Sequence, residues 1–546
     1  MLVKSRSRLG AIVALSVAGT LCAHAGDDQR LATIDRIIDE GFNHSELAET
    51  AAYLTDRIGG RLTNSPQMRA AEQWTQQQFS AWGLKNVHTE GFDFGRGWSI
   101  EQASARLVVP RVKQYRTIPI AWTPGTNGVL RSTIVVAPLS KESDFAQWRG
   151  KLKGQIVLIT QPDDGSEPTE APFKRLTDQQ LAKLDEYRQP NQPPQSEIEK
   201  RLQEAFFETQ RDEFLAAEGA AAWVRKSYRD GGLLHGDGYM HRLDQQAKVP
   251  GFELAAEDYR QLARLAKAGV APELELNSVV KFYDDDHNAY NILADIPGRD
   301  AKAGYVMSGA HLDSWVASDG AQDNAAGSAV VMEAARILSK LNLKPKRTIR
   351  FALWSGEEQG IYGSANYVER HLVERAPLPA EYKKYPAYNT WNLRWPLKPG
   401  PDYDKLSVYF NIDNGSGKVR GIHAEGNVAA VPLFREWLAP FASMGATAVV
   451  STPTSGTDHV PMQMVGIPGF QFVQDPLDYD SRIHHSSVDA YDHLKMADLK
   501  QAAVILASLL WQSAEHETAF PKMPLPRQPK QTDPFSYGKQ AADSDE

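Results

Sequence analysis

Hydrophobic positions in the second half of the chain follow two alternating rhythms. Short apolar runs of strand type are "AYNILADIPG", "AGYVMSGAHLD", "RTIRFALWS", "LSVYFNID" and "IPGFQFV". Stretches with helical periodicity separate them. The clearest is "AAGSAVVMEAARILSKL", where Val330, Val331, Ala334, Leu338 and Leu341 share one face of an α-helix. Alternation of this kind from about residue 288 predicts an α/β fold, a three-layer sandwich around a mostly parallel, doubly wound sheet.

The N-terminal part is mixed. "SELAETAAYLTDRIG" and "SPQMRAAEQWTQQQFSAWG" read as helices punctuated by Gly59-Gly60 and Gly83, and "SARLVVPRV" reads as a strand. From about 115 to 280 the rhythm changes. "GQIVLIT" and "GAAAWVRK" read as short buried strands, and "VPGFELAAEDYRQLARLAKAG" as a strand entry followed by an amphipathic helix. The charged, Gln-rich stretch 174–214 reads as a helical excursion. The block carries no plausible ligand cluster. The expected organisation is a signal peptide over 1–25 and a catalytic domain in two segments, 26–114 and 281–520. A smaller β-rich domain is inserted over 115–280, and an acidic, Pro-containing tail, expected to be poorly ordered, covers 521–546. Residues 376–404, rich in Pro, Tyr and Trp, interrupt the alternation, and a loop of that length is uncommon unless functional.

Composition narrows the function. The 546 residues are 42% hydrophobic and 23% charged, as in soluble globular proteins. A formal net charge of -8 without a basic stripe argues against nucleic-acid binding. Lys4, Arg6 and Arg8, the apolar run Leu9 to Leu21 and then Ala23-His24-Ala25 form a secretory signal pattern, which implies a periplasmic or secreted enzyme. Cys22, the single cysteine, falls inside that segment, so the mature chain has no disulfide. No later run is long and apolar enough to span a bilayer, so no stable membrane insertion is expected after signal cleavage. No pattern specifies an oligomeric state.

The chemistry concentrates at the ends of predicted strands. His311 and Asp313 follow one in "SGAHLDSW", Glu357 and Glu358 follow another in "WSGEEQG", and Asp413 ends a third in "VYFNID". Asp323, in "GAQDNAAGSA", precedes a helix, and His484 and His485 lie in "RIHHSSVDAYDHL" with Asp489 nearby. In open α/β sheets, sites form beyond the carboxyl ends of strands, so these distant residues are expected to converge. Imidazole plus carboxylate is a zinc ligand set that leaves the ion Lewis-acidic, although cobalt and manganese accept the same ligands. The two oxygens of one aspartate can bridge two ions about 3.5–4 Å apart. Adjacent glutamates can divide the work, one binding metal and the other moving protons. Asp458 and His459 in "SGTDH" are candidates either for the pocket or for capping the helix that follows. The "DDDH" run, Asp284 to His287, reads as a solvated linker. Tyr479 and Tyr491 are candidate donors to a transition-state oxygen, and Trp391 and Trp395 a candidate pocket wall.

With these residues in hand, the sequence resembles the co-catalytic zinc aminopeptidase and glutamate carboxypeptidase family, above all its plasma glutamate carboxypeptidase branch. The resemblance runs through "DRIGGRLTNSPQMRAAEQW", "NILADIPG", "SGAHLDSW", "DNAAGSAVVMEAARIL", "LKPKRTIRFALWSGEEQGIYGS" and "HHSSVDAYDHL". The 115–280 block resembles the protease-associated domain such enzymes carry. The resemblance implies two zinc ions, one held by His311 and Asp413, the other by Glu358 and His485, with Asp323 bridging. It implies Glu357 as general base and Asp313 as the partner that fixes the His311 imidazole. Where the family usually has Asp-Thr, this chain has Asp489-Ala490. The implied activity is exopeptidase hydrolysis of peptide substrates, with an aminopeptidase favoured. A dipeptidase or carboxypeptidase of the same fold, a single-zinc glutaminyl cyclase and a non-catalytic receptor-like protein are the alternatives.

Overall fold

Alternate residues of the central strands face opposite helical layers. Val306 and Ala310 of strand Tyr305–His311 join the larger apolar core, together with helices Ala326–Lys340 and Met496–Glu515, whereas Tyr305 and Met307 face a second core containing Tyr367 and Met462. A strand buried on both faces carries no polar side, which is why these segments read as continuous apolar runs. The computed structural model describes residues 28–527 apart from 167, 187–194 and 381–389. The expected signal peptide and the tail beyond 527 lie outside the described residues.

The first sheet has eight strands. Their order from one edge is Lys85–Asp93, Asn288–Ile296, Thr348–Trp354, Tyr305–His311, Leu406–Asn411, Gly469–Gln474, Val419–His423 and Ala448–Val450. The four strands from Thr348–Trp354 to Gly469–Gln474 are parallel, and antiparallel pairings lie on either side of them. Helices cover both faces, so the three-layer α/β sandwich is present with a mixed rather than purely parallel sheet.

Local chemistry sets the covering helices. Ser65 caps helix Pro66–Ala81 by accepting the Met68 N–H at 3.1 Å, and Pro66 stands at the first helical position, where a missing N–H costs nothing. Helix Ala326–Lys340 ends where Asn342 turns left-handed at φ 50. Each fully buried Val or Leu on its inner face contributes about 1.5–3 kcal/mol.

A second eight-stranded sheet occupies the middle of the chain. Its order is Lys113–Tyr115, Gly97–Val109, Glu273–Tyr283, Leu130–Val136, Ile156–Leu158, Ala222–Lys226, Gly251–Leu254 and Thr117–Pro119. The strand read in "SARLVVPRV" pairs here, with Trp98 opposite Phe282 and Leu107 opposite Leu274. The expected boundaries near 115 and 280 therefore fall inside strands Lys113–Tyr115 and Glu273–Tyr283. An alternating pattern identifies a strand but not its partner, so the sequence alone assigns this one to no sheet. The excursion contains helices Asp178–Leu184 and Gln195–Ala217.

Candidate metal centre

The parallel strands of the first sheet deliver their carboxyl ends to one place. His311 is the last residue of its strand, Asp413 lies two residues beyond Asn411, and Glu357 and Glu358 follow Trp354 across one turn. Asp323 enters from the turn before helix Ala326–Lys340, where Gly320 adopts φ 58 and a side chain at Gly327 would come within 2.4 Å of the Ile412 carbonyl oxygen. That close approach brings the helix start against the strand end carrying Asp413. The Asp323–Asn324 peptide is cis, and the Asn324 amide donates to the Ile412 carbonyl at 3.0 Å.

Asp323 stands between two imidazoles. Its Oδ1 lies 3.3 Å from His311 Nε2 and its Oδ2 3.3 Å from His485 Nε2. Each imidazole also meets a second acid, His311 with Asp413 Oδ1 at 3.1 Å and His485 with Glu358 Oε2 at 2.9 Å. His311, Asp323 and Glu358 each offer a ligand atom within 4.8 Å of the others, as do His311, Glu357 and Asp413, and also Asp323, His484 and His485. Thus the residues singled out from sequence come together, and His484 joins them, its ring stacked on His485 at 3.7 Å and its Nε2 3.7 Å from Asp323 Oδ2.

Asp313 acts differently from the simple expectation. His311 Nδ1 faces the Asp313 backbone carbonyl at 3.0 Å, while the nearer carboxylate oxygen is 3.8 Å away. The carboxylate instead accepts the N–H groups of Glu357 at 3.2 Å and Glu358 at 3.3 Å, and the Thr63 hydroxyl at 3.2 Å. One residue therefore orients an imidazole through its main chain and both glutamates through its side chain. Asp489 does the same for Asp323, accepting its N–H at 3.0 Å and that of Gln322 at 2.7 Å.

The centre concentrates buried acids. Burial pushes the Glu357 and Glu358 carboxyls well above the usual range; His311 opposes this, while Asp413 and Asp458 add to it at Glu357 and Asp323 adds to it at Glu358. Burial also raises Asp489 to about 7. Against burial, the charge of Asp413 and hydrogen bonds to Asp323 and Asp413 hold His311 well above its ordinary value. Asp323 stays below the usual carboxylate range despite its burial, through its hydrogen bond to His311 and the charge of His485. Asp323 Oδ2 and Glu358 Oε1 are buried with no hydrogen-bond donor. Buried carboxylates need compensation, and divalent cations supply it where the chain alone must take up protons. The donor set, two imidazoles with carboxylates, fits zinc.

The ambiguous candidates separate. Asp458 is buried, accepts the Ser364 hydroxyl at 2.5 Å and is raised to about 8 by burial, with His311 opposing and Asp413 adding. It faces the centre, whereas His459 turns away towards Thr454 at 3.0 Å. Buried Tyr479 packs edge-on against His484 at 5.0 Å, and half-buried Tyr491 packs on the main core. Trp391 packs with Ile361 and Ala365, and Trp395 against the second core, so both serve packing. In "DDDH", Asp284 pairs with Arg96 at 2.7 Å and Asp286 accepts from Tyr290 at 2.9 Å. Sequence reasoning missed Arg61. It is fully buried and donates to the carbonyls of Leu54, Gly59, Leu312, Asp319 and Gly320, spanning the segments that present His311 and Asp323. Its place after Gly59-Gly60 was visible, but not what it binds.

Known proteins are similar to this chain. The model of peptidase family M28 matches residues 291–510, the stretch that carries all the ligand candidates. Carboxypeptidase Q from Mus musculus is 25% identical over 477 residues, 87% of each chain. A peptidase M28 precursor from Shewanella amazonensis superposes with a TM-score of 0.65 at 22% identity, covering 92% of this chain and 100% of that one. BSAP, a zinc aminopeptidase from Bacillus subtilis, does so with a TM-score of 0.54 at 18% identity, covering 86% and 95%. These structural likenesses show a shared fold. Read with the converging acids and imidazoles, the match identifies residues 291–510 as a peptidase family M28 domain and the protein as a metallopeptidase.

Proposed function

We propose that the protein is a two-zinc exopeptidase, an aminopeptidase that releases N-terminal residues from peptides. The observation that carries this reading is Asp323 set between His311 and His485, one oxygen to each. His311 and Asp413 would hold one ion, Glu358 and His485 the other, and Asp323 both. Zinc, when bound, supplies Lewis acidity to a substrate carbonyl and to water. Glu357 would take the proton of the attacking water and deliver it to the leaving amine nitrogen. Its buried position among acids raises its proton affinity towards what a base working near neutral pH needs. Asp313 holds its backbone, so the carboxylate is aimed before substrate arrives.

The zinc aminopeptidase of like fold supports release from the amino end. A carboxypeptidase or dipeptidase is the second reading, favoured by the name of the relatives that align along 87% of the chain. Peptides with free and blocked termini separate them: zinc-loaded protein should cleave peptides amidated at the carboxyl end and spare N-acetylated ones. Cleavage of N-acetylated peptides would overturn the aminopeptidase assignment, and no zinc-dependent cleavage of any peptide would overturn the enzyme reading. The N-terminal basic and apolar pattern supports export to the periplasm or medium. No helix among the described residues is long and apolar enough to cross a membrane. The second sheet would form the core of the inserted domain, which resembles a protease-associated domain.

A further inference from the structure

We propose that Arg229, carried by the second sheet, is a positioning residue for the His485 side of the metal centre. On this inference, which rests on the two-zinc reading, the inserted unit is part of the site.

His485 sits at φ 59, a left-handed conformation that residues with side chains seldom adopt. Such a backbone persists only when its surroundings hold it. The holding groups come from the loop that follows strand Ala222–Lys226 of the other sheet. Arg229 Nη1 donates to the His484 carbonyl at 2.6 Å, and Nη2 donates to the Asp480 carbonyl at 3.2 Å. One planar fork thus ties two turns of the chain immediately before the ligand. On the far side of His485, the Leu234 N–H donates to Ser487 Oγ at 3.1 Å, and the Ser487 N–H donates back to the Leu234 carbonyl at 2.8 Å. The chain on both sides of the ligand, at His484 and at Ser487, is therefore fixed to residues 229–234.

That loop is stiff enough to transmit a position. Fully buried Glu253 accepts the His235 N–H at 2.8 Å and pairs with Arg225 at 2.7 Å. Glu257 accepts the N–H groups of Gly231 at 2.6 Å and Gly232 at 3.2 Å. The Ser227 hydroxyl donates to the Arg229 carbonyl at 3.2 Å. From the same connection, Tyr239 packs edge-on against Trp315 at 5.6 Å, and Trp315 packs edge-on against the His485 ring at 6.2 Å. A guanidinium is required, since a lysine ammonium is a point donor that does not span both carbonyls in one plane.

The test uses the full chain loaded with zinc and titrated with a chromophoric chelator that resolves the two ions. Arg229→Met should weaken one ion by about 10- to 100-fold and leave the other unchanged, with Arg229→Lys recovering only part of the loss. In a His485→Ala background the same substitution should add nothing, which a general loss of stability would not reproduce. Ser487→Ala removes only the hydroxyl that accepts the Leu234 N–H. It carries the same comparison, with a smaller loss at the same ion, should Arg229→Met fail to fold. Variants within about twofold of wild type at both ions, or an undiminished effect without His485, overturn the inference. A wild-type protein that binds fewer than two ions overturns the two-zinc reading itself, and this inference with it.

Discussion

The carboxylate of Asp489 accepts the backbone N–H of Asp323 at 3.0 Å, so one acid fixes the main chain that presents another. The second oxygen takes the Gln322 N–H, and the turn cannot rotate without losing both bonds. Asp489→Ala should leave two buried amides unpaired, at about 1–3 kcal/mol each. On the two-zinc reading Asp323 would serve both halves of the centre, so zinc affinity should fall about 10- to 100-fold at both ions together. Asp489→Asn keeps one acceptor oxygen and should fall between. Chelator titration reads the outcome, and a loss confined to one ion would contradict the shared role of Asp323.

Glu357 and Glu358 are neighbours in sequence but face different partners. Glu358 Oε2 lies on His485, whereas Glu357 groups with His311 and Asp413 at the opposite side. Glu357→Gln keeps the shape and the N–H that Asp313 accepts. It should retain zinc measured by atomic absorption and lower kcat by about 10²–10⁴-fold. Full turnover in that variant, or loss of metal, would remove Glu357 from the proton-transfer role.

The alternation that predicted the sheet also brings the candidate ligands to one edge of it, because His311 ends a parallel strand and Glu358 and Asp413 each follow one. What the sequence did not show is tertiary. The strand Gly97–Val109 has an ordinary alternating pattern, and only its register with Glu273–Tyr283 assigns it to the second sheet. Asp313 was legible as a neighbour of His311, yet its carboxylate serves residues 44 and 45 positions away. Arg229 shows no motif at all, since its partners are main-chain carbonyls that any residue provides.

Arg61 illustrates the same limit from the interior. It is fully buried without a carboxylate in hydrogen-bond contact, and burial lowers its pKa to about 10, opposed by Asp489 and Asp313. It therefore stays positive at neutral pH beneath an acidic centre. Arg61→Met should strip five carbonyls of a donor and destabilise the fold by about 3–5 kcal/mol in denaturant unfolding. Arg61→Lys should recover little, because one ammonium cannot serve acceptors on three segments. A destabilisation under about 1 kcal/mol would show that the loops around His311 and Asp323 hold themselves.

His241 should make the contact between the two sheets sensitive to acid. Its ring stacks on Phe94 at 4.3 Å and meets Trp122 at 5.3 Å and Tyr362 at 5.7 Å, enclosed by aromatic rings. Burial, with Arg242 adding, pushes its pKa from 6.5 down to about 3. In the folded chain the ring is thus neutral above that value, while in the unfolded chain it takes up a proton near its ordinary pKa. Between the two values the unfolded state binds more protons, so the stability held above the ordinary pKa is lost as pH falls towards the folded one. Near pH 5 the loss amounts to about 2 kcal/mol. His241→Phe keeps a flat ring and removes the proton site, so its Tm should fall less than that of wild type between neutral and mildly acidic buffer. Equal slopes for the two proteins would mean that acid enters elsewhere, through the carboxylates of the metal centre, and that the junction is indifferent to pH.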